Sequence, residues 1–367
     1  MPLIFDILEG ELGGRTASLD FLVALGTHPP MSDTQLTKLI GQPVQNGSAG
    51  RRRIYNHRWD DPEALVTLGE ISAQEIAEIT GGRMHRAVPV RLNRLVQDYD
   101  HILICGPVFP HEVAGFSGGA KYFFPGIAGP EMIHITHWLG ALLTSFEIIG
   151  TGDTPVRAMI HRAAEFVATP HSLMALVVLP EGTAGLYCGP TLETWSEAAG
   201  LSEQRHILWL KKSVERALAV MPPMYTDLWT GAKGMYKLEP VIADGGELVI
   251  YAPHIHEVSQ VHGKIIEEIG YHCRDFFLAQ WDRYGEYPGG LLAHSTHVKG
   301  KGTYDASSGV ETPRITVTLA TGIPEDHCRR INLGYLDPAS VNVDEWNQHA
   351  DWLVATRAGE MLYRIRS

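Results

Sequence analysis

Three histidines, one lysine and a glycine-rich run crowd into residues 111–137, HEVAGFSGGAKYFFPGIAGPEMIHITH. Glycine lets backbone approach a ligand closely. A lysine buried beside such a loop serves as a phosphate ligand, a base or a covalent anchor. Imidazoles carry protons or bind a borderline metal. The segment therefore reads as a cofactor site rather than a packing element.

Two of the chain's histidines follow apolar strand-like runs. Residues 21–25 lead through Gly26-Thr27 to His28, and residues 102–105 lead through Gly106 to His111. A lone loop histidine is usually a surface residue. Two at two strand ends suit a pair of opposed acid/base groups, as inversion of a stereocentre needs. The run from Gly115 to Lys121, with Ser117, Gly118 and Gly119 between, is neither a Walker A loop nor G-x-G-x-x-G. It is either a flexible turn with a solvated lysine or a built site. Pro130 and Glu131 then open a helix. On it His134 and His137 share a face, where a metal takes one or both, or neither. A further lysine, Lys233, follows Trp229, Thr230 and the small pair Gly231-Ala232.

The elements that must position these groups alternate. Strand-like runs at 21–25, 102–105, 173–179, 247–251 and 315–319 each end in a turn signal. Helical patterns lie at 32–40, 73–79, 130–149, 155–168, 213–220, 259–269 and 344–358. Such alternation predicts an α/β protein with mainly parallel sheets, ligands binding beyond the carboxyl ends of the strands. With 367 residues the chain should form two α/β domains, 1–205 anchoring a cofactor and 206–367 completing an interdomain cleft. A net charge of −12 argues against nucleic acid or an anionic membrane as partner. Cys105, Cys188, Cys273 and Cys328 are scattered, so a disulfide framework is not expected. No signal peptide or membrane span is visible, and the cytoplasm is the expected location.

Taken together these blocks resemble the nickel-pincer lactate racemases and their 2-hydroxyacid racemase and epimerase homologues. The resemblance rests on Leu25-Gly26-Thr27-His28-Pro29, on VPVRLNRLVQDYDHILICGPVFPHEVAGFSGGAK from Val88 to Lys121, on the continuation to His137, and on Leu228 to Met235. It spans most of residues 20–255 and is looser beyond.

The resemblance implies a nickel-pincer nucleotide, a pyridinium-derived mononucleotide held covalently on Lys121, with Ser117, Gly118 and Gly119 beside it and His137 on the nickel. It implies His28 and His111 as the paired acid/base groups and Lys233 as a catalytic or substrate contact. A 2-hydroxyacid would pass its α-hydride to the cofactor ring and receive it back on the other face. The enzymes that make the cofactor would be partners.

There are departures. The family's upstream Asp-x-x-Arg-Pro motif is not reproduced in residues 6–15, so Lys233 or Arg15 is expected to hold the substrate carboxylate, or the start of the chain is trimmed. Thr230 stands where a glutamine is usual beside the substrate, and it and Trp229 are substrate candidates. Residues 289–302 replace a tryptophan-containing segment and bring His294, His297 and Lys299 as substrate candidates, or as a polar helix end on the surface. Two other readings stand beside the racemase: a catalytically impaired cofactor-binding homologue, and an α/β protein that binds a nucleotide or phosphate non-covalently.

Overall fold

The computed structural model describes residues 1–366. Its larger sheet has five strands, all parallel, in the order Gly334–Tyr335, Thr316–Thr321, Ile242–Ala252, Val214–Val220, Trp352–Ala355. The second sheet joins Ile102–Pro107 in parallel to His171–Leu179, which pairs antiparallel with Gly182–Gly189. This is the α/β class with mainly parallel sheets that the alternation predicts.

Two predicted helices are strands. Residues 213–220 carry good helix formers, yet Val214–Val220 is an inner strand of the five-stranded sheet. Ala217 and Ala219 face the main core and Leu218 the core on the other side. A parallel strand covered on both faces is a continuous apolar run, so burial outweighs helix propensity here. Residues 344–358 form only a short helix, Val343–Trp346, before the edge strand Trp352–Ala355. The helix expected over 130–149 runs over Pro130–Leu143 and breaks at Thr144, whose φ is +72°.

A small unit at the start of the chain has its own core. Phe21–Val23 pairs in parallel with Arg52–Asn56, above Phe5, Leu36, Ile40, Val44, Ala49 and Ile54. The main core runs without interruption from Ile71 to Leu362 and so joins both larger sheets. The two parts are also stitched by Ile207–Leu210 against Leu362–Ile365 and by the helix Gly289–Lys299 packed on Pro130–Leu143. No helix among the described residues is long and apolar enough to cross a membrane.

Candidate active site

Most of the candidate groups sit where a regular element begins or ends, and His137 lies within a helix. After Phe21–Val23 the chain turns at Gly26 (φ +56°), whose N–H donates to the Gly126 carbonyl at 2.8 Å. That bond ties the His28 turn to the loop just beyond Lys121. Ile102–Pro107 leads into a tight hairpin, Pro110–His111 against Gly115–Phe116. Lys121 follows in the short 3₁₀ turn Gly119–Tyr122. Glycine is obligatory before it: Gly119 has φ +62°, and a Cβ there would meet the Trp195 ring at 2.9 Å. His137 lies two turns into Pro130–Leu143. Lys233 opens the helix Lys233–Leu238, next to a turn capped by Asp227.

These groups lie close enough to set one another's charge. Burial lowers the proton affinity of His28, and the charges of Lys233 and Lys121 lower it further. Burial takes His111 well below the ordinary histidine value, with Glu112 opposing and Lys121, Lys233 and His137 reinforcing the shift. Burial brings Lys121 down to about 8, with Arg157 and Lys233 adding to the effect and Glu112 opposing it. His137 is lowered to about 4, again mainly by burial. Burial in a low-dielectric site favours the neutral form of each base. Near neutral pH the three imidazoles are therefore uncharged, and the lysine amine is far easier to deprotonate than in water.

The ring nitrogens are differentiated. His137 Nδ1 donates to the Ile133 carbonyl at 2.6 Å, which leaves Nε2 with its lone pair free, the usual preparation of a metal-binding imidazole. His111 Nδ1 accepts the Val113 N–H at 3.1 Å and lies 3.7 Å from the Glu112 carboxylate. The amide favours the tautomer protonated at Nε2, an acid; the carboxylate favours the one protonated at Nδ1, whose Nε2 is a base. Glu112 escaped the sequence reading. Its only signal was an acidic residue adjacent to His111, and its carboxyl lies below the usual range because of His111 and Lys233 despite burial.

Other predicted residues divide. Trp229 stacks on His294 with ring centroids 4.0 Å apart. His294 is fully engaged, its Nδ1 bonded to the Tyr236 hydroxyl at 3.1 Å and its Nε2 to the Tyr271 hydroxyl at 3.3 Å. His297, only 3 % exposed, has no partner for either nitrogen; Glu112 and His137 lie within its electrostatic reach. Thus residues 294 and 297 belong to a buried helix rather than a polar surface end. Thr230 uses its hydroxyl on Asp227 at 2.7 Å. Ser117 accepts the Phe109 N–H and donates to the Pro107 carbonyl, fastening the loop to the preceding strand. Lys299 turns away to the Asn332 carbonyl at 2.6 Å. Arg15 is exposed beside Glu11. His134 packs against Trp59 and accepts the Gly290 N–H, apart from the charged cluster.

The comparisons bear on this geometry. Residues 1–146 match the profile described as the lactate racemase N-terminal domain. A lactate racemase of Thermoanaerobacterium thermosaccharolyticum is 22% identical over 275 residues, 72% of this chain and 57% of that protein. One from Lactiplantibacillus plantarum is 28% identical over 121 residues, 33% of this chain and 24% of that protein. Through residues 1–146 the chain is a member of the lactate racemase N-terminal domain family. It spans little more than half the length of the first of these relatives and about a quarter of the second. A Thermotoga maritima protein of known crystal structure superposes with a TM-score of 0.92 at 34% identity, over 100% of this chain and 90% of that one. The lactate racemase apoprotein of T. thermosaccharolyticum gives 0.74 at 16% identity, over 99% and 82%, a likeness of fold.

The donor set can be set against the cofactor that the sequence resemblance implies. Among the described residues no cluster of three or more His, Cys, Asp or Glu could hold a metal unaided. The free Nε2 of His137, whose Nδ1 is held by the Ile133 carbonyl, is a donor that fits a metal whose other ligands arrive with an organic group. The amides of Gly118, Gly119 and Ala120 donate to no backbone carbonyl and so are open to an acceptor from a ligand.

Proposed function

We propose that this chain is an isomerase, a racemase or epimerase of a 2-hydroxyacid, working with a nickel-pincer nucleotide carried covalently on Lys121. When bound, that group takes up a hydride and gives it back. The chain's own residues do the rest. His137 offers Nε2 to the nickel. Lys121, lowered to about 8, reaches the neutral amine needed for attachment close to physiological pH. Gly118 and Gly119 hold the backbone against the nucleotide, while Ser117 keeps the loop in place. Lys233 binds the substrate carboxylate. His28 and His111 serve opposite faces of the reacting carbon: one accepts the hydroxyl proton as the hydride leaves, and the other supplies a proton when it returns.

The observation that carries the reading is the convergence of three separate chain segments on one cluster, in which burial and neighbouring charges, Lys233 among them, lower the proton affinity of His28, His111, Lys121 and His137. Perturbed groups gathered in this way mark functional sites. Division of the chain at 205/206 is proposed with it, because the helix Thr191–His206 ends there. The enzymes that make the nucleotide are its proposed partners and the cytoplasm its proposed location.

The test is to produce the protein together with those enzymes and measure its intact mass and nickel content. A covalent adduct with nickel, absent in Lys121→Ala, supports the reading; no adduct and no nickel overturns it. A panel of single-enantiomer 2-hydroxyacids, assayed for the antipode or epimer, then identifies the substrate.

A further inference from the structure

Behind the lysine-bearing loop lies a brace that the reading above leaves unused. Arg157, on the helix Pro155–Ala164, is 2 % exposed. Its guanidinium donates through Nη2 to the Phe116 carbonyl and through Nη1 to the Gly118 carbonyl at 3.2 Å. Between these two, the Ser117 carbonyl accepts the Trp195 indole N–H at 2.9 Å. The guanidinium also lies over the Trp195 ring, 4.2 Å from its centroid. Three consecutive carbonyls are thus drawn to one side by two stacked side chains. A planar fork on an aromatic face is a geometry that arginine makes and lysine does not.

No carboxylate pairs with Arg157. A guanidinium buried without a counter-ion is costly, and its hydrogen bonds to carbonyls offset only part of that cost. A loop of ordinary packing could satisfy its carbonyls with water or backbone. Here the fixed carbonyls leave the amides of Gly118, Gly119 and Ala120 uncommitted and set the backbone from which Lys121 departs one residue later.

We propose that Arg157 and Trp195 are positioning residues for covalent loading: by fixing the carbonyls of Phe116, Ser117 and Gly118, they aim the neutral Lys121 amine at a thiocarboxyl carbon of the incoming cofactor, where the new C–N bond replaces a C–O bond, the oxygen leaves as water and no redox partner is needed. This rests on Lys121 being the attachment residue. The charge of Arg157 adds a second effect, since it is among the groups that lower the Lys121 proton affinity. The brace therefore predicts two separable readouts, geometry in the yield of adduct and charge in the pH dependence of the amine.

The experiment compares full-length wild type with Arg157→Lys, Arg157→Met and Trp195→Phe. Lys121 reactivity is read in the apoprotein with an acylating reagent, by peptide mass spectrometry across pH. Adduct formation is read by intact mass during co-production with the cofactor enzymes. In Arg157→Met the acylation midpoint should rise from about 8 towards the ordinary lysine value, and adduct yield should fall at least about tenfold, the equivalent of one lost hydrogen bond. Arg157→Lys should keep the low midpoint and still lose adduct. Trp195→Phe, which retains an aromatic face, should lower adduct yield with the midpoint unchanged. Wild-type yields and midpoints in folded Arg157→Met and Trp195→Phe would overturn the proposal. Adduct persisting in Lys121→Ala would overturn the attachment reading on which it stands, a result the brace variants cannot produce.

Discussion

The two walls of the candidate site are built in opposite ways. One wall is a single stretch, residues 111–137, in which a hairpin, a glycine turn and a helix deliver His111, Lys121 and His137 in succession. The other is assembled from distant pieces: Lys233 at a helix start, Trp229 one turn earlier, and His294 and His297 on a helix some sixty residues later. Along the first wall, local backbone geometry determines what each side chain can do. Along the second, a histidine's character depends on which neighbours the tertiary fold supplies. His294 and His297 lie one turn apart, yet one is bonded at both nitrogens and the other at neither.

The contrast can be broken first at the chemistry. His28→Ala and His111→Ala should each lower the interconversion rate by about 10²–10⁴, as loss of a general acid or base does, while nickel content stays unchanged. Nickel lost from either variant would mark that residue as a ligand and undo the division of labour within the first wall.

Acid is the next lever. The imidazoles of His137 and His297 are lowered to about 4. Below their ordinary value of about 6.5 the unfolded chain binds more protons than the folded one. The stability these groups contribute is therefore whole above pH 6.5 and is lost as pH falls to about 4. Each should cost up to about 3 kcal/mol over that window. Urea denaturation of the apoprotein at pH 7, 5.5 and 4.5 should show the fall, and His297→Phe should make it shallower.

The same method separates the two helix histidines at neutral pH. His294→Phe leaves the Tyr236 and Tyr271 hydroxyls without their partner and should destabilise by about 2 kcal/mol or more. His297→Phe removes no hydrogen bond and should be close to neutral. Equal losses in the two would refute the contrast drawn within the second wall.

Smaller effects sharpen the picture. The Lys121 amine should be half acylated at a pH near 8, about two units below an ordinary lysine. Arg15→Ala should leave stability within about 0.5 kcal/mol, as exposed substitutions usually do, with KM for the substrate acid unchanged. A raised KM would bring the amino-terminal helix into the site after all.

Much of the first wall was legible because its signals are short-range. The glycines before Lys121, the proline opening the next helix and the spacing of His111, Lys121 and His137 all act over a few residues. What escaped reading there was Glu112, which has no pattern of its own, and the brace of Arg157 and Trp195, which reaches the loop from 39 and 78 residues away. The second wall was read less well. Lys299 and Arg15 were reasonable as cations near the expected cleft, but Lys299 spends its charge on a carbonyl and Arg15 faces solvent. Val214–Val220 was misassigned because helix propensity is a local quantity, whereas burial on both faces of a sheet is not.

The sequence by itself determined the α/β class, the elements' turn signals, and a loop that can place an amine beside imidazoles. Each follows from backbone sterics and hydrophobic period, which act locally. Only the tertiary structure decided which histidines are satisfied, which carbonyls the buried arginine holds, and how far each proton affinity moves. Those depend on burial and on charges brought together from remote parts of the chain, and no run of neighbouring residues encodes them.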